Sequence, residues 1–102
     1  MIVVRQVFQA KWGKAAEFAT LVADGNREIA KALGQNHAWR VLTDLTGPFH
    51  RVVLEVEMES MAQWEQVRTQ MFQNPEIGQA LARGNDLVES GRSEIYTIEA
   101  HG

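Results

Sequence analysis

Cysteine is absent from this chain of 102 residues, and proline occurs only twice. Without cysteine, disulfide bonds, thiolate catalysis and cysteine-ligated metal sites are excluded. No apolar run approaches the ~20 residues that a membrane-spanning helix needs, so no membrane partner is predicted. The chain also does not start with a basic region followed by a long apolar segment, which predicts that it carries no signal peptide and is cytoplasmic.

A strong charge of one sign is missing as well, since the net charge is only −3. A nucleic-acid partner needs a basic surface, so no nucleic-acid binding is predicted. The three histidines, at 37, 50 and 101, are far apart in the sequence and have no carboxylate cluster beside them, which predicts no metal site. There is no glycine-rich phosphate loop or nucleophile elbow, and we predict no cofactor. The length predicts a single domain over residues 1–102.

Alternation of apolar and charged residues is clearest over residues 51–59, where it predicts a half-buried strand. One face of this strand carries Val52, Leu54, Val56 and Met58. The opposite face carries Arg51, Val53, Glu55, Glu57 and Glu59. The remaining elements must therefore cover the first of these faces.

Other segments show the patterns of three further strands and three helices. Together with the strand at 51–59, the predicted strands lie at 2–10, 36–46 and 94–100. The predicted helices lie at 14–33, at 60–74 and at 76–89. Gly34 is placed to cap the first helix, and Gly25 in its middle indicates close packing there. Ser60 and Gln63 form the pattern of a capping box, and a turn at 47–49 joins two strands into a hairpin.

The order strand, helix, strand, strand, helix pair, strand is typical of a ferredoxin-like βαββαβ sandwich of the α+β class. It predicts a four-stranded antiparallel sheet with the helices on one face. The opposite face carries Arg5, Val53, Glu55 and Glu57 in this prediction, together with Val3, Val7 and Ile95. A face so mixed is typical of an interface, so we predict a homodimer in which two sheets close into an α/β barrel. The alternative is a monomer with a few exposed valines.

The chain resembles the dimeric α/β-barrel superfamily, and within it the NIPSNAP-like and antibiotic-biosynthesis-monooxygenase-like small proteins. The resemblance is carried by the opening strand, the hairpin around Gly47-Pro48, and residues 58–64, where a strand runs directly into a helix with an early tryptophan. It implies a ferredoxin-like fold and a dimer. It does not imply one activity, because the relatives include cofactor-free quinone-forming oxygenases, haem-degrading oxygenases and small isomerases.

The haem-degrading branch of that superfamily has an asparagine on the first strand, a tryptophan early in the helix after the third strand, and a later histidine. Trp64 fits the tryptophan position, and Gln6 lies near the asparagine position. Residues 60–89 contain no histidine, so the iron would lack its usual protein ligand. The resemblance therefore does not extend to haem degradation.

A ligand pocket between sheet and helices is the predicted functional site. Gln6, Trp39, Trp64 and Phe72 are expected to line it and to hold a small apolar or aromatic ligand. For Trp64 and Trp39 the alternative is a place in the hydrophobic core. His37 is the candidate catalytic base, with a surface histidine at a strand end as the alternative.

Two hypotheses of function follow for the chain. One is a small-molecule-binding, cofactor-free protein of the oxygenase or isomerase kind. The other is a non-catalytic homodimeric binding or assembly module with a filled interior. The arginines of the sheet either form ion pairs with Glu55 and Glu57 or anchor an acidic ligand.

Overall fold

The computed structural model describes residues 1–34 and 37–102. Its elements in chain order are β1 (Ile2–Ala10), α1 (Ala15–Leu33), β2 (Trp39–Thr43), β3 (Arg51–Met58), α2 (Met61–Gln73), α3 (Pro75–Ala82), a 3₁₀ turn (Asn85–Leu87) and β4 (Val88–Thr97). The sheet order is β2-β3-β1-β4, and every neighbouring pair is antiparallel. This is the predicted ferredoxin-like α+β sandwich.

The register of the sheet directs the apolar face of β3 toward the helices. Val56 pairs with Val4 of β1, and Leu54 pairs with Val41 of β2, so apolar side chains meet on one side. Val52 has no solvent exposure, and Met58 is 3% exposed. Two clusters of buried residues form there, one of Ile2, Val4, Met58, Trp64 and Val67 and one of Ala10, Phe18 and Val52. The predicted burial of this face is confirmed.

Side-chain caps fix where the helices begin and end. Ser60 Oγ accepts a hydrogen bond from the Gln63 backbone N–H (3.2 Å), and Gln63 Oε1 accepts one from the Glu59 N–H (2.7 Å). This is a capping box whose return bond reaches one residue further back than usual. Gly34 ends α1 in the left-handed conformation, with φ of 64°, as the sequence predicts. No helix in the described ranges is long and apolar enough to cross a membrane.

The last strand begins six residues earlier than the sequence predicts, and the helix before it is correspondingly shorter. α3 ends at Ala82, so the predictions of a helix over 76–89 and a strand over 94–100 were wrong in their bounds. Most residues of 89–94 are polar, because this edge strand is exposed on both faces and needs no apolar alternation. Gly91 pairs with Phe8, whose ring lies close to it: an added Cβ would lie 3.0 Å from Phe8 Cδ1, so the ring would have to shift.

Two further predictions about strand faces and bounds differ from the structure. β2 starts at Trp39, and the predicted start at Asn36 lies outside the described residues. Ile95 pairs with Val4, so its side chain points to the helix side of the sheet and not to the opposite face as predicted. Tyr96, which pairs with Val3, takes that place. The error arose because alternation alone does not show which face of the sheet a given residue of an edge strand occupies. That assignment needs the pairing register with the neighbouring strand.

Candidate ligand cavity

A cavity of about 310 Å³ lies between the helix side of the sheet and the helices. Its floor includes Val4, Gln6 and Phe8 of β1, Leu54, Val56 and Met58 of β3, and Trp39 of β2. Its other walls include Phe18, Leu21, Val22, Ile29 and Ala30 of α1 and Trp64, Val67 and Met71 of α2. The volume and the apolar lining are those of small-molecule sites in proteins.

Small residues on the inner side of α1 leave this space unfilled. Gly25 lines the cavity, and a Cβ added there would meet no atom within 4 Å. Glycine destabilises a helix interior by roughly 0.5–1 kcal/mol relative to alanine. The prediction that Gly25 marks close packing is therefore wrong, since Gly25 borders empty space. The site predicted from the sequence did not include α1. Gly25 and Ala30 could have indicated it, because such small side chains leave space on the inner face of the helix.

The described residues of the lining include no aspartate, glutamate, lysine or arginine. Its polar side chains belong to Gln6, Asn26, His37 and Asn85. In the described part of the chain, the side chains of Gln6 and Asn26 make no hydrogen bond. Gln6 thus presents a carboxamide in the middle of an apolar floor, with both donor and acceptor capacity unused by the protein.

His37 is held at one side of the cavity by Gln63. The Gln63 amide is oriented by its Oε1, which accepts from the Glu59 N–H, so its Nε2 faces His37 at 3.3 Å from the ring Nε2. An amide nitrogen only donates, and the His37 Nε2 must therefore carry the lone pair. The Gln63 amide thus engages His37 Nε2, and His37 lies at the cavity wall.

The structure brings together four of the five residues predicted for the pocket. Gln6, Trp39, Trp64 and His37 all line the cavity. Phe72 does not: it is 72% exposed, and the Arg68 guanidinium lies 5.9 Å from its ring centroid. Met71 lines the cavity instead, because it lies seven residues beyond Trp64 and returns to the same face of the helix, whereas Phe72 is turned a further 100°.

The residues predicted for the dimer face lie together on the side of the sheet that no helix covers. Arg5 pairs with Glu55, Val53 with Val7, and Glu57 with Val3. Glu55 accepts from Arg5 Nε (2.8 Å) and from Arg40 Nε (2.7 Å). Glu94 accepts from Arg5 Nη1 (3.2 Å) and from Arg92 Nε (3.1 Å). One chain of ion pairs therefore crosses all four strands.

The charges of this face interact mainly with each other. The hydrogen bond from Arg92, with the nearby charges of Arg92 and Arg5, lowers the pKa of Glu94 below its ordinary value against a smaller opposing effect of burial. Arg5 and Arg40 do not line the cavity, which favours the ion-pair interpretation over an arginine anchor for an acidic ligand. Within the described ranges, no group of three or more histidine, aspartate or glutamate side chains is arranged to hold a metal ion.

The sequence and structure of this chain are similar to those of several known proteins. The NIPSNAP family model matches residues 4–100. No curated protein matches the chain. An uncharacterised NIPSNAP domain protein from Burkholderia xenovorans is similar in structure, with a TM-score of 0.83, 19% identity, and coverage of 98% of this chain and 96% of that one.

Two other solved structures extend the comparison. A NIPSNAP family protein from Agrobacterium tumefaciens has a TM-score of 0.80 and 20% identity, with 94% of this chain and 90% of that chain covered. A protein from Nitrosomonas europaea named as a putative antibiotic biosynthesis monooxygenase has a TM-score of 0.74 and 14% identity, covering 98% of this chain and 100% of that one. At these identities the structural likeness establishes the fold.

Proposed function

The chain belongs to the NIPSNAP family, and we propose that it is a homodimeric protein that binds a small apolar or aromatic molecule between its sheet and its helices. The observation that carries the proposal is the cavity of about 310 Å³ that Trp39 and Trp64 border. Empty space in a core costs stability, and a module that served only for assembly would gain from filling it. The unused carboxamide of Gln6 supports a ligand that completes its hydrogen bonds.

Filling the cavity from α1 should weaken ligand binding. Ala30 lines the cavity, so Ala30→Leu would occupy part of its volume. Tetralone, a neutral aromatic ketone, is a suitable probe. Its affinity for the variant should fall at least ~10-fold, because the leucine side chain and the ligand would compete for the same space and overpack the site. Isothermal titration calorimetry gives both affinities, and native mass spectrometry of the purified protein shows any ligand that is already bound.

Ala32→Leu is the matched control, because Ala32 is on the same helix but exposed. Its affinity for tetralone should equal that of the unmodified protein. Equal affinities for all three proteins would mean that tetralone binds elsewhere, and would contradict the proposed site. A lack of binding to all three, with no bound mass in native spectra, would favour the assembly module.

Proton abstraction is the chemistry that the site best supports. His37 lines the cavity, and an imidazole is the side chain best suited to act as a general base near neutral pH. Some structural neighbours are named as putative antibiotic biosynthesis monooxygenases, and in a cofactor-free oxygenase or isomerase such a step activates the substrate. We therefore assign His37 the role of the base, which requires the Gln63 amide to move off Nε2 before the lone pair of that nitrogen accepts the substrate proton.

Exchange of a substrate proton with solvent tests this role without knowledge of the natural product. In D₂O, the protein should catalyse deuterium incorporation at the carbon next to the carbonyl of tetralone, as followed by NMR. His37→Ala should slow the exchange by about 10²–10⁴-fold, which is the usual contribution of a general base. Ala32→Leu should leave the rate unchanged. Exchange that persists in His37→Ala would remove His37 from the mechanism.

A further inference from the structure

We infer that the cavity selects neutral ligands of about two fused rings that carry a hydrogen-bonding group, and that Gly25 sets the upper limit of ligand size. The inference rests on the proposed binding function and specifies its ligand class. Three features of the lining carry it: the absence of aspartate, glutamate, lysine and arginine among the described residues, the unpaired carboxamides, and the space beside Gly25.

Charge is the first basis of selection. The described lining is mostly apolar and contains no aspartate, glutamate, lysine or arginine. Its one ionisable side chain, His37, has its Nε2 engaged by the Gln63 amide, so it could pair with an anion only by taking up a proton and giving up that hydrogen bond. Transfer of an ion from water to such a site without a partner is strongly unfavourable. The arginines that could pair with an anion, Arg5 and Arg40, lie on the opposite side of the sheet and are already bound to Glu55.

Hydrogen bonding is the second basis. Gln6 stands on the central strand β1, at the cavity floor, and Asn26 stands on α1, which forms another wall. Neither side chain is hydrogen-bonded within the described residues, so each can both donate and accept. A hydroxyl or carbonyl group on the ligand satisfies either carboxamide, whereas a plain hydrocarbon would leave them desolvated and unpaired.

Size is the third basis. An apolar cavity of ~150 Å³ is enough to hold benzene. The volume of about 310 Å³ here is twice that, which corresponds to a two-ring molecule. Gly25 contributes to this volume, because nothing lies within 4 Å of the position that its Cβ would take. A larger side chain at this position would point into the space that the second ring needs.

Three two-ring probes of matched shape test the selection by charge and hydrogen bonding. At neutral pH naphthol is neutral, because phenolic groups titrate near pH ~10, whereas naphthoic acid is ionised. Naphthol should bind at least ~100-fold more tightly than naphthoate. It should also bind ~10-fold more tightly than naphthalene, and Gln6→Leu should remove most of that last difference. Isothermal titration calorimetry measures all three affinities.

Gly25→Leu tests the size limit against a matched glycine. The variant should bind naphthol at least ~30-fold more weakly while retaining phenol within about threefold, because only the second ring loses its space. Gly78→Leu is the control, since Gly78 is exposed on α3, does not line the cavity and has nothing within 4 Å of its added Cβ. Both variants should melt at a higher temperature, because leucine favours a helix more than glycine does.

The outcomes separate this inference from the proposed function. Naphthoate binding as tight as naphthol, or unchanged naphthol binding by Gly25→Leu, would overturn the inference and leave the binding function standing. Failure of naphthol, naphthalene and naphthoate alike to bind would overturn both. If Gly25→Leu failed to fold, Gly25→Ala would replace it, with a smaller loss of naphthol affinity expected and no loss of phenol affinity.

Discussion

Replacement of Trp64 by alanine should lower the free energy of unfolding by about 3–5 kcal/mol, the usual cost of deleting a large buried aromatic side chain. Trp64 is 8% exposed and packs in the cluster with Val4, Met58 and Val67. It also lines the cavity, so its loss would enlarge the empty space. Small domains are stable by only about 5–15 kcal/mol, and the variant would therefore be close to unfolding at room temperature.

Urea denaturation followed by circular dichroism measures this loss, and Trp12→Ala is the matched control. Trp12 is 77% exposed, and its ring contacts are with Phe49 and His50 at the surface. Its removal should change the free energy of unfolding by less than about 1 kcal/mol. A similar loss in both variants would contradict the assignment of Trp64 to the core.

Indole should partly restore the stability of Trp64→Ala. The variant would have a cavity larger by one indole ring system, and a ligand that binds only the folded state raises stability by RT ln(1 + [L]/Kd), about 2.7 kcal/mol when the ligand is at 100 times its Kd. The melting temperature of Trp64→Ala should therefore rise more with indole than that of Trp12→Ala. An equal rise in the two variants would mean that indole does not occupy the site of Trp64.

Patterns that depend on one face being buried allowed the central elements of the fold to be predicted. The alternation over 51–59 gave the correct orientation of β3 because its apolar face is covered by helices, and a shift by one residue would expose that whole face. Local chemistry was equally decisive at Ser60 and Gly34, where a side-chain oxygen and a left-handed conformation fix the helix ends. These signals act over a few residues and need no knowledge of tertiary contacts.

The features that sequence analysis missed depend on tertiary contacts. β4 is an edge strand with little burial, so residues 89–94 carry no alternation, and only its pairing with β1, which brings Gly91 against Phe8, shows where it begins. The apolar pattern of α2 included Phe72, but the inner face of the helix ends at Met71. A cavity is a region without side chains and has no residue pattern of its own. The small residues of α1 were the sequence feature that indicated it.

Replacement of Leu42 by lysine should dissociate the proposed homodimer. Leu42, Val53 and Val7 are direct neighbours across β2, β3 and β1, on the face that no helix of the described residues covers. Val7 and Val53 are buried within the chain, so Leu42 is the member of this apolar row that a partner would contact. In a two-fold symmetric interface the same row meets its copy, so each substitution places two charges in the interface. Of the carboxylates near Leu42, Glu55 already binds Arg5 and Arg40, and Asp44 accepts from the Arg51 backbone N–H. Two unpaired ammonium groups should raise the dimer Kd at least ~100-fold.

Sedimentation equilibrium over a range of concentrations measures this change, and Thr43→Lys is the control with the same net charge. Thr43 is the next residue of β2, is exposed, and points to the opposite side of the sheet, so its variant should remain dimeric. Thermal unfolding of the Leu42→Lys monomer should be cooperative, because Leu42 is only half-buried. A dimer that both variants retain would place the interface elsewhere. The mixed face would then be solvated, and its chain of ion pairs would contribute little beyond the fraction of a kcal/mol that exposed pairs usually supply.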